Sequence, residues 1–142
     1  MEYAVEILIK KDIMSYKKLI DGCFGLSNPI EKYMQYLQND NYIIWVIKED
    51  NKVIGSVTEY HIELFTFDFQ PCLMLFNIAV DADYRCKGVA HALLEHVIFN
   101  ARTSGYRSIS LTCLDSACEA HKLYESVGFV RAESYKYAMN LA

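Results

Sequence analysis

The sequence predicts an α/β domain in which helices cover both faces of a mixed sheet. Strand-like and helix-like segments follow one another in the order β-α-α-β-β-β-α-β-α-β-β. Residues 72–80 are apolar on both faces of the expected strand apart from Asn77, as in a central strand buried between helices. With 142 residues, 53% of them hydrophobic, the chain is long and apolar enough to bury a core. We therefore expect one domain over residues 1–142.

Composition and patterning argue against several classes of protein. A net charge of −4 speaks against a nucleic-acid partner, because such proteins present a basic face. No apolar run approaches the roughly 20 residues of a membrane span, and no export signal is visible. Five cysteines without a CxxC motif favour reduced thiols and a cytoplasmic location. No metal site is expected, since His91 and His96 would lie about 140° apart on a helix.

The N-terminal third of the chain predicts one strand and two helices. Residues 3–9 have a β-rich composition. Asp12 is suited to cap the first helix and Gly22 to end it. The second helix should begin at residues 28–31, Asn-Pro-Ile-Glu, which combine a cap, a first-turn proline and a glutamate three residues after the cap.

The middle of the chain predicts a hairpin and then a central strand. Residues 42–48 and 53–65 are strand-like and flank a polar turn. The third strand of the group covers residues 72–80. A loop over residues 81–87 then leads into the clearest helix, which Gly105 should end.

The C-terminal part predicts a strand, a helix and two further strands. The strand covers residues 108–114, and the helix after it should stop at Gly128. Residues 129–131 and 135–141 are expected to form the final pair of strands.

The loop before the strongest helix has the character of an anion site. The first turn of a helix leaves backbone N–H groups unpaired and carries about half a positive charge. Gly88 would let a phosphate approach the backbone, and Arg85 and Lys87 add charge. An ordinary strand–loop–helix crossover would show the same residues, so both interpretations stay open here. A P-loop and a dinucleotide fingerprint are excluded, because their glycine patterns are absent.

Two motifs resemble the GNAT acetyltransferase superfamily. Residues 85–90, Arg-Cys-Lys-Gly-Val-Ala, match its (Q/R)xxGx(G/A) motif directly after the expected central strand. Residues 120–129, AHKLYESVGF, look like the last helix of that family. The resemblance covers residues 53–131 and is nearest to bacterial ribosomal-protein N-terminal acetyltransferases. It implies a mixed central sheet of about six to seven strands flanked by about four helices.

The resemblance also implies a site for acetyl-CoA as co-substrate. A central-strand segment would pair with the pantetheine arm and polarise the thioester carbonyl, and the loop and helix start would hold the pyrophosphate. Tyr124 would protonate the leaving thiolate, and a tyrosine with a pKa near 10 suits that role. Tyr124 could instead be a core aromatic residue. The implied cofactor-binding residues are Ile78, Ala79, Val80, Arg85, Cys86, Lys87, Gly88, Val89, Ala90 and His91.

The chain departs from the ribosomal-protein acetyltransferases at two positions. Thr112 stands where they carry a glutamate base, and Ala117 where they carry an asparagine that contacts the cofactor. These departures leave the identity of the base and of the substrate undetermined. They do not affect the expected CoA site.

A row of polar residues on one strand offers a replacement base. Glu59, His61 and Glu63 share one face of their strand by its period of two. Glu59 or Glu63 could deprotonate the amine through water, and His61 could contact the substrate. The row could also be a solvated strand face. Asn77, alone in an apolar strand, is a further candidate for substrate contact or, equally, a bulge residue.

The sequence as a whole favours an N-acetyltransferase that transfers acetyl directly from acetyl-CoA to a primary amine. The acceptor would be a peptide N-terminus or a small-molecule amine. A lysine-like amine costs roughly 4–5 kcal/mol to deprotonate at neutral pH and an α-amine only about 1.4 kcal/mol, so a site without a close carboxylate favours the weaker base. The alternatives are a CoA-binding regulatory or interaction module without transfer and a structural domain without CoA. A homodimer is left open.

Overall fold

The computed structural model describes residues 2–142 and divides them into two compact units, one ending at Thr112 and the other running from Cys113 to Ala142. The first unit contains a sheet and three helices, and the second contains one helix. The strands are β1 (Val5–Ile7), β2 (Tyr42–Glu49), β3 (Lys52–Glu63), β4 (Pro71–Val80) and β5 (Ser108–Ser110). The helices are α1 (Ile13–Phe24), α2 (Ile30–Tyr36), α3 (Val89–Thr103) and α4 (Cys118–Ser126).

The five strands form one mixed sheet in the order β1-β2-β3-β4-β5. The first four strands are antiparallel, and β5 is parallel to β4. The α3 crossover between β4 and β5 supplies the long connection that a parallel pair requires. The predicted mixed α/β sheet is therefore confirmed.

The two faces of the sheet pack against different helices. Ile44 pairs with Thr58 and Val46 with Ser56, and these residues belong to the face that α1 covers. On the opposite face, a Cβ on Gly55 would lie 2.4 Å from Val89 of α3. The core under α1 consists of Leu8, Ile13, Tyr16, Leu19, Ile20, Ile44, Val46, Val53 and Ala79.

The pairing of β3 with β4 is interrupted by a β-bulge. Ser56 pairs with Ala79, but Thr58 pairs with Phe76, so two residues of β4 lie opposite one residue of β3. Asn77 lies in this bulge with φ of 53°, a left-handed conformation that asparagine tolerates better than most residues. Asn77 is therefore a bulge residue, one of the two roles expected for it.

The sheet has five strands instead of the expected six to seven. Among residues 2–142, the segments 129–131 and 135–141 form no strand, and β5 ends at Ser110 instead of 114. The apolar alternation in segment 135–141 is real, but each of these side chains is more than 80% exposed. Alternation specifies which side chains share a face, whereas a strand also needs a partner backbone, which the pattern does not contain. The exposed apolar residues are Tyr135, Tyr137, Met139 and Leu141.

None of the helices described between residues 2 and 142 has the length and apolar character needed to cross a membrane.

Candidate active site

The loop after β4 turns the chain sharply into α3. The Asp81 carboxylate accepts a hydrogen bond from the backbone N–H of Asp83 at 2.9 Å and pairs with Lys52 at 3.1 Å. That backbone hydrogen bond and the Lys52 ammonium together lower the pKa of Asp81. Arg85 Nε donates to the carbonyl of Val80 at 3.3 Å. The loop is therefore held by a hydrogen bond to the end of β4 and by an ion pair to Lys52 of β3.

The start of α3 is open to a ligand at its backbone. Gly88 is the N-cap of α3, with φ of 81°. As a glycine, it has no side chain that could form a capping hydrogen bond with the helix. A Cβ placed on Gly88 would meet no heavy atom within 4 Å, so its surface faces open space. Free N–H groups of a first helical turn attract anions. Cys86, with φ of 61°, adds a second left-handed residue to the same loop.

Basic side chains accompany this open helix start. Arg85 and Lys87 are exposed, and Nζ of Lys87 lies 5.5 Å from the ring centroid of Tyr84. The hydroxyl of Tyr3 donates to the carbonyl of Lys87 at 2.8 Å and helps to fix the loop. The loop predicted from sequence as an anion site thus combines free amides, a glycine and two exposed cations.

The C-terminal half of β4 has one free edge. β5 pairs only with Cys72–Met74, and no other strand among residues 2–142 pairs with Leu75–Val80 on that edge. Ala79 is buried, whereas Ile78 and Val80 are partly exposed. The unpaired edge of this segment is therefore open to hydrogen bonds with an extended ligand, except that the carbonyl of Val80 already accepts one from Arg85 Nε.

A cavity of about 490 Å³ lies between the α1 face of the sheet and helices α1 and α2. We call it the tyrosine cavity, because four tyrosines and two phenylalanines contribute to its lining. Asn77, in the bulge of β4, is part of that lining and is exposed. The lining residues are Tyr16, Ile20, Phe24, Leu26, Asn28, Lys32, Tyr33, Tyr36, Tyr42, Ile44, Thr58, Phe76 and Asn77.

The predicted row of Glu59, His61 and Glu63 lies on the other face of the sheet. Glu59 pairs with Ile43 and follows Thr58, whose side chain lines the tyrosine cavity, so Glu59 points to the α3 face. No member of the row is among the residues that line the cavity. The row therefore does not border this cavity, because successive residues of a strand point to opposite faces.

Glu59 is deeply buried beneath α3. Its side chain is 5% exposed, and burial raises the pKa of the carboxyl, although the nearby Trp45 indole and His61 act in the opposite direction. Trp45 Nε1 and Glu59 Oε2 nevertheless lack a hydrogen bond of good geometry. The Trp45 ring also packs edge-on against His96 of α3 at 4.4 Å. Glu59 is thus a buried acid in a largely aromatic environment.

His61 and Glu63 form a separate polar group nearer the end of β3. His61 Nδ1 lies 2.9 Å from the hydroxyl of Tyr106, and Nε2 lies 3.3 Å from Glu63 Oε1. Glu63 is exposed. The row thus divides into a buried residue and a partly solvated pair, and only the second part matches the solvated strand face considered from sequence.

Tyr124 belongs to the C-terminal unit, on α4. Its side chain is half-buried, and burial, followed by the neighbouring Cys113, raises the pKa of the phenol. The ring contacts Phe129 at a centroid distance of 6.1 Å. Cys113 Sγ also lies 3.6 Å from the ring nitrogens of His121. Tyr124 therefore remains protonated at neutral pH, as a general acid must before it acts.

The two histidines of α3 have different surroundings. His91 lies 3.6 Å from Glu95, whereas His96 contacts Asn100 at 3.1 Å, and burial lowers the pKa of His96. Within the described part of the chain, no group of three His, Cys, Asp or Glu side chains is placed to hold a metal ion.

The tyrosine cavity was not predicted from the sequence. Eleven of 142 residues are tyrosine, and Tyr33, Tyr36 and Tyr42 follow one another within ten residues. This enrichment in tyrosine was the signal in the sequence that could have indicated an aromatic cavity. It could not be interpreted from the sequence because Tyr16 and Phe76 join the cavity from distant parts of the chain.

Comparison with known proteins assigns the family. Residues 13–129 match the acetyltransferase (GNAT) family. The match covers most of the chain, so the chain belongs to the GNAT family, and the resemblance seen in its two motifs is confirmed. The GNAT fold expected from that resemblance is confirmed as well, with five strands.

Individual relatives agree with this assignment. The chain is 33% identical over 94 residues to human N-acetyltransferase 8B, covering 66% of this chain and 41% of that protein. It is 33% identical over 103 residues to the ribosomal protein bS18-alanine N-acetyltransferase of Escherichia coli strain K12, covering 72% and 64%. The matched part thus spans less than two thirds of each of these relatives.

A solved structure shows the same fold. The ribosomal-protein-alanine N-acetyltransferase of Brucella melitensis biovar Abortus 2308 superposes with a TM-score of 0.81 at 20% identity, covering 97% of this chain and 99% of that one.

Proposed function

We propose that the protein is an acetyl-CoA-dependent N-acetyltransferase that transfers acetyl directly to a primary amine. The observations that carry this proposal are the free edge of β4 at Leu75–Val80 and the open backbone of Gly88, which the loop over residues 81–87 connects along the chain. An extended ligand with a phosphate group at one end would suit a free strand edge that is followed by an open helix start. Membership of the GNAT family supports acetyl-CoA as that ligand.

The proposed cofactor site consists of two backbone segments. Ile78, Ala79 and Val80 would hold the pantetheine arm along the free edge, and their N–H groups would stabilise the oxyanion formed on attack. The segment from Arg85 to His91 would hold the pyrophosphate through the first turn of α3. The exposed Arg85 and Lys87 support this assignment, because the net charge of −4 otherwise opposes an anionic ligand.

The proposed acceptor site is the tyrosine cavity, with Asn77 as a substrate contact. Asn77 lines this cavity and directly precedes Ile78, so one segment of β4 borders both the cavity and the proposed cofactor edge. The left-handed bulge redirects the strand at Asn77. An amine in the cavity would attack the thioester carbon, the C–S bond would break, CoA would leave as a thiolate, and the nitrogen would release its surplus proton to solvent.

Tyr124 is the proposed general acid for that thiolate. Its raised pKa supports this role, because the phenol is protonated at neutral pH and can donate. We propose that residues 1–142 act as one acetyltransferase domain. The family match over residues 13–129 crosses the boundary between the two units and supports that proposal.

We do not assign the base to Glu59, His61 or Glu63. None of them lines the tyrosine cavity, and Glu59 is buried under α3. The acceptor would instead lose its proton to solvent on entering an apolar cavity, where the charged form is disfavoured. The double variant Glu59→Gln, Glu63→Gln should then follow the wild-type pH–rate profile. A loss of turnover near pH 7 that recovers at higher pH would mean that a glutamate of this row acts as the base.

A cytoplasmic location is also proposed. All five cysteines are free thiols, which suits a reducing compartment.

The test of the proposed function is release of CoA thiol from acetyl-CoA over a screen of peptides and small amines. We expect amine-dependent release that exceeds spontaneous hydrolysis. Binding of acetyl-CoA without release to any amine would favour a regulatory CoA-binding module. Absence of both binding and release would leave only a structural domain.

A further inference from the structure

The tyrosine cavity is an unusual site for an amine, because none of the described residues that line it is acidic. Six of its thirteen lining residues are aromatic, and among the described residues that line it only Lys32 carries a charge. Lys32 is exposed on α2. A site that binds several ammonium groups needs carboxylates, because buried charges must be paired. The lining therefore suits a ligand that carries few charges and presents much aromatic surface.

The tyrosine hydroxyls do not supply a hidden negative charge. Burial raises the pKa of Tyr16 to about 12, so its phenol is neutral, and it shares a hydrogen bond with Thr58. The Tyr33 hydroxyl donates to Asp21 at 2.7 Å, and Asp21 is in turn paired with Lys17. These tyrosines therefore present ring surface to the cavity, while their hydroxyls are already hydrogen-bonded to Thr58 and Asp21.

The rings are arranged as two edge-on pairs. Tyr16 and Tyr33 lie 5.8 Å apart with their planes at 86°, and Tyr36 and Tyr42 lie 5.3 Å apart at 80°. The aromatic ring of a ligand can pack against such pairs through edge-on or offset contacts. A volume of about 490 Å³ lies within the range of small-ligand sites.

We infer that the acceptor is a small monoamine with an aromatic body, and that Lys32 excludes acceptors that carry a second cation. This inference rests on the proposed function, since it names the substrate class of the same site. The aromatic body would fill the ring-lined cavity, and its one amine would reach the Asn77 end. A diamine would bring a second ammonium into a site without carboxylates and close to the Lys32 ammonium, where like charges repel.

The test compares kcat/KM for four acceptors with acetyl-CoA held saturating. The acceptors are 2-phenylethylamine, 2-cyclohexylethylamine, 1,4-diaminobutane and a short peptide with an N-terminal alanine. The phenyl and cyclohexyl compounds match in size, so their difference isolates the aromatic contribution, expected at about twofold to tenfold in favour of phenyl. The diamine should be worse than 2-phenylethylamine by on the order of tenfold or more.

The role of Lys32 is tested by charge reversal. Lys32→Glu places a carboxylate at the cavity and should raise kcat/KM for 1,4-diaminobutane relative to 2-phenylethylamine by on the order of tenfold. Lys18→Glu is the matched control, because Lys18 is an exposed residue of α1 that does not line the cavity. The control should leave the ratio of the two acceptors as in the wild type.

The outcomes separate the two proposals. Transfer that favours the diamine or the peptide, or a ratio that Lys32→Glu does not change, overturns the substrate class and leaves the acetyltransferase function intact. Failure of every acceptor to release CoA, together with no acetyl-CoA-dependent rise in melting temperature, overturns both. Preference for 2-phenylethylamine that Lys32→Glu shifts towards the diamine supports both.

Discussion

Gly88 and Gly105 have almost the same backbone conformation, with φ of 81° and 79°, and differ in the role proposed for them. In both cases a Cβ would meet no heavy atom within 4 Å. Valine at either position should therefore cost a similar amount of backbone strain, roughly 1–2 kcal/mol. Only Gly88 lies where a pyrophosphate is proposed to approach the backbone.

Gly88→Val should therefore weaken acetyl-CoA binding strongly, by at least about tenfold, because its side chain would occupy the space of the anion. Gly105→Val should lose comparable stability and retain normal affinity. Calorimetric titration of both variants with acetyl-CoA measures the difference. Equal affinities in the two variants would place the anion site elsewhere.

At Tyr124 the hydroxyl can be removed without removing the ring. Tyr124→Phe should reduce kcat by about 10²–10⁴-fold, since the leaving thiolate would lose its general acid. The contact with Phe129 needs only the ring and should survive. Tyr135→Phe is the matched control, because Tyr135 is an exposed tyrosine of the same unit. A kcat for Tyr124→Phe equal to that of the control would make Tyr124 a packing residue.

Between elements, β3 and α3 approach each other closely at Gly55. A Cβ on Gly55 would lie 2.4 Å from Val89 Cγ1 and 3.3 Å from Leu93 Cδ1, both fully buried. Gly55→Ala should therefore destabilise the fold by about 1–3 kcal/mol through overpacking. Gly22→Ala, in α1 with open space around it, should stabilise the fold by up to about 1 kcal/mol. Urea unfolding of both variants tests the pair, and a neutral Gly55→Ala would mean that α3 can shift away.

The interface under α3 also carries a titratable group, Glu59. Burial raises its pKa in the folded state, so the folded protein holds this proton to higher pH than the unfolded chain does. The contribution of Glu59 to stability is complete below its ordinary pKa of about 4.5 and is lost as pH rises through the raised value. Glu59→Gln removes this loss, so its stability relative to wild type should increase with pH above about 4.5.

Unfolding midpoints of Glu59→Gln and wild type measured between pH 4 and pH 7 check this expectation. Glu63→Gln serves as the control, because Glu63 is exposed and should give a small difference. A constant difference between Glu59→Gln and wild type across this range would mean that the Glu59 carboxyl is solvated.

At the scale of the whole molecule, the proposed site implies linkage between acetyl-CoA and folding. A ligand that binds only the folded state at 100 times its dissociation constant adds about 2.7 kcal/mol to the free energy of unfolding. We therefore expect a clear rise in melting temperature with acetyl-CoA and a smaller rise for Gly88→Val at the same concentration. An unchanged melting temperature at millimolar acetyl-CoA would contradict the cofactor site.

The order of elements as far as α4, and the glycine at the start of α3, could be predicted because local sequence patterns specify both. Helical and strand periodicities identified α3 and β4, and the loop motif before α3 identified the resemblance to the family. Tyr124 became a candidate general acid through the motif of residues 120–129, which is also local. Each of these features depends on residues within about one turn or one strand of each other.

The tertiary structure alone decided which strands find partners, which face each residue occupies and where a cavity opens. Segment 135–141 has a strand pattern without a strand, and β5 pairs with only three of the ten residues of β4. Glu59 and Thr58 are neighbours in sequence but lie on opposite faces, one buried under α3 and one beside the tyrosine cavity. Strand pairing and helix placement join residues far apart in the chain, and a local period carries no information about that partner.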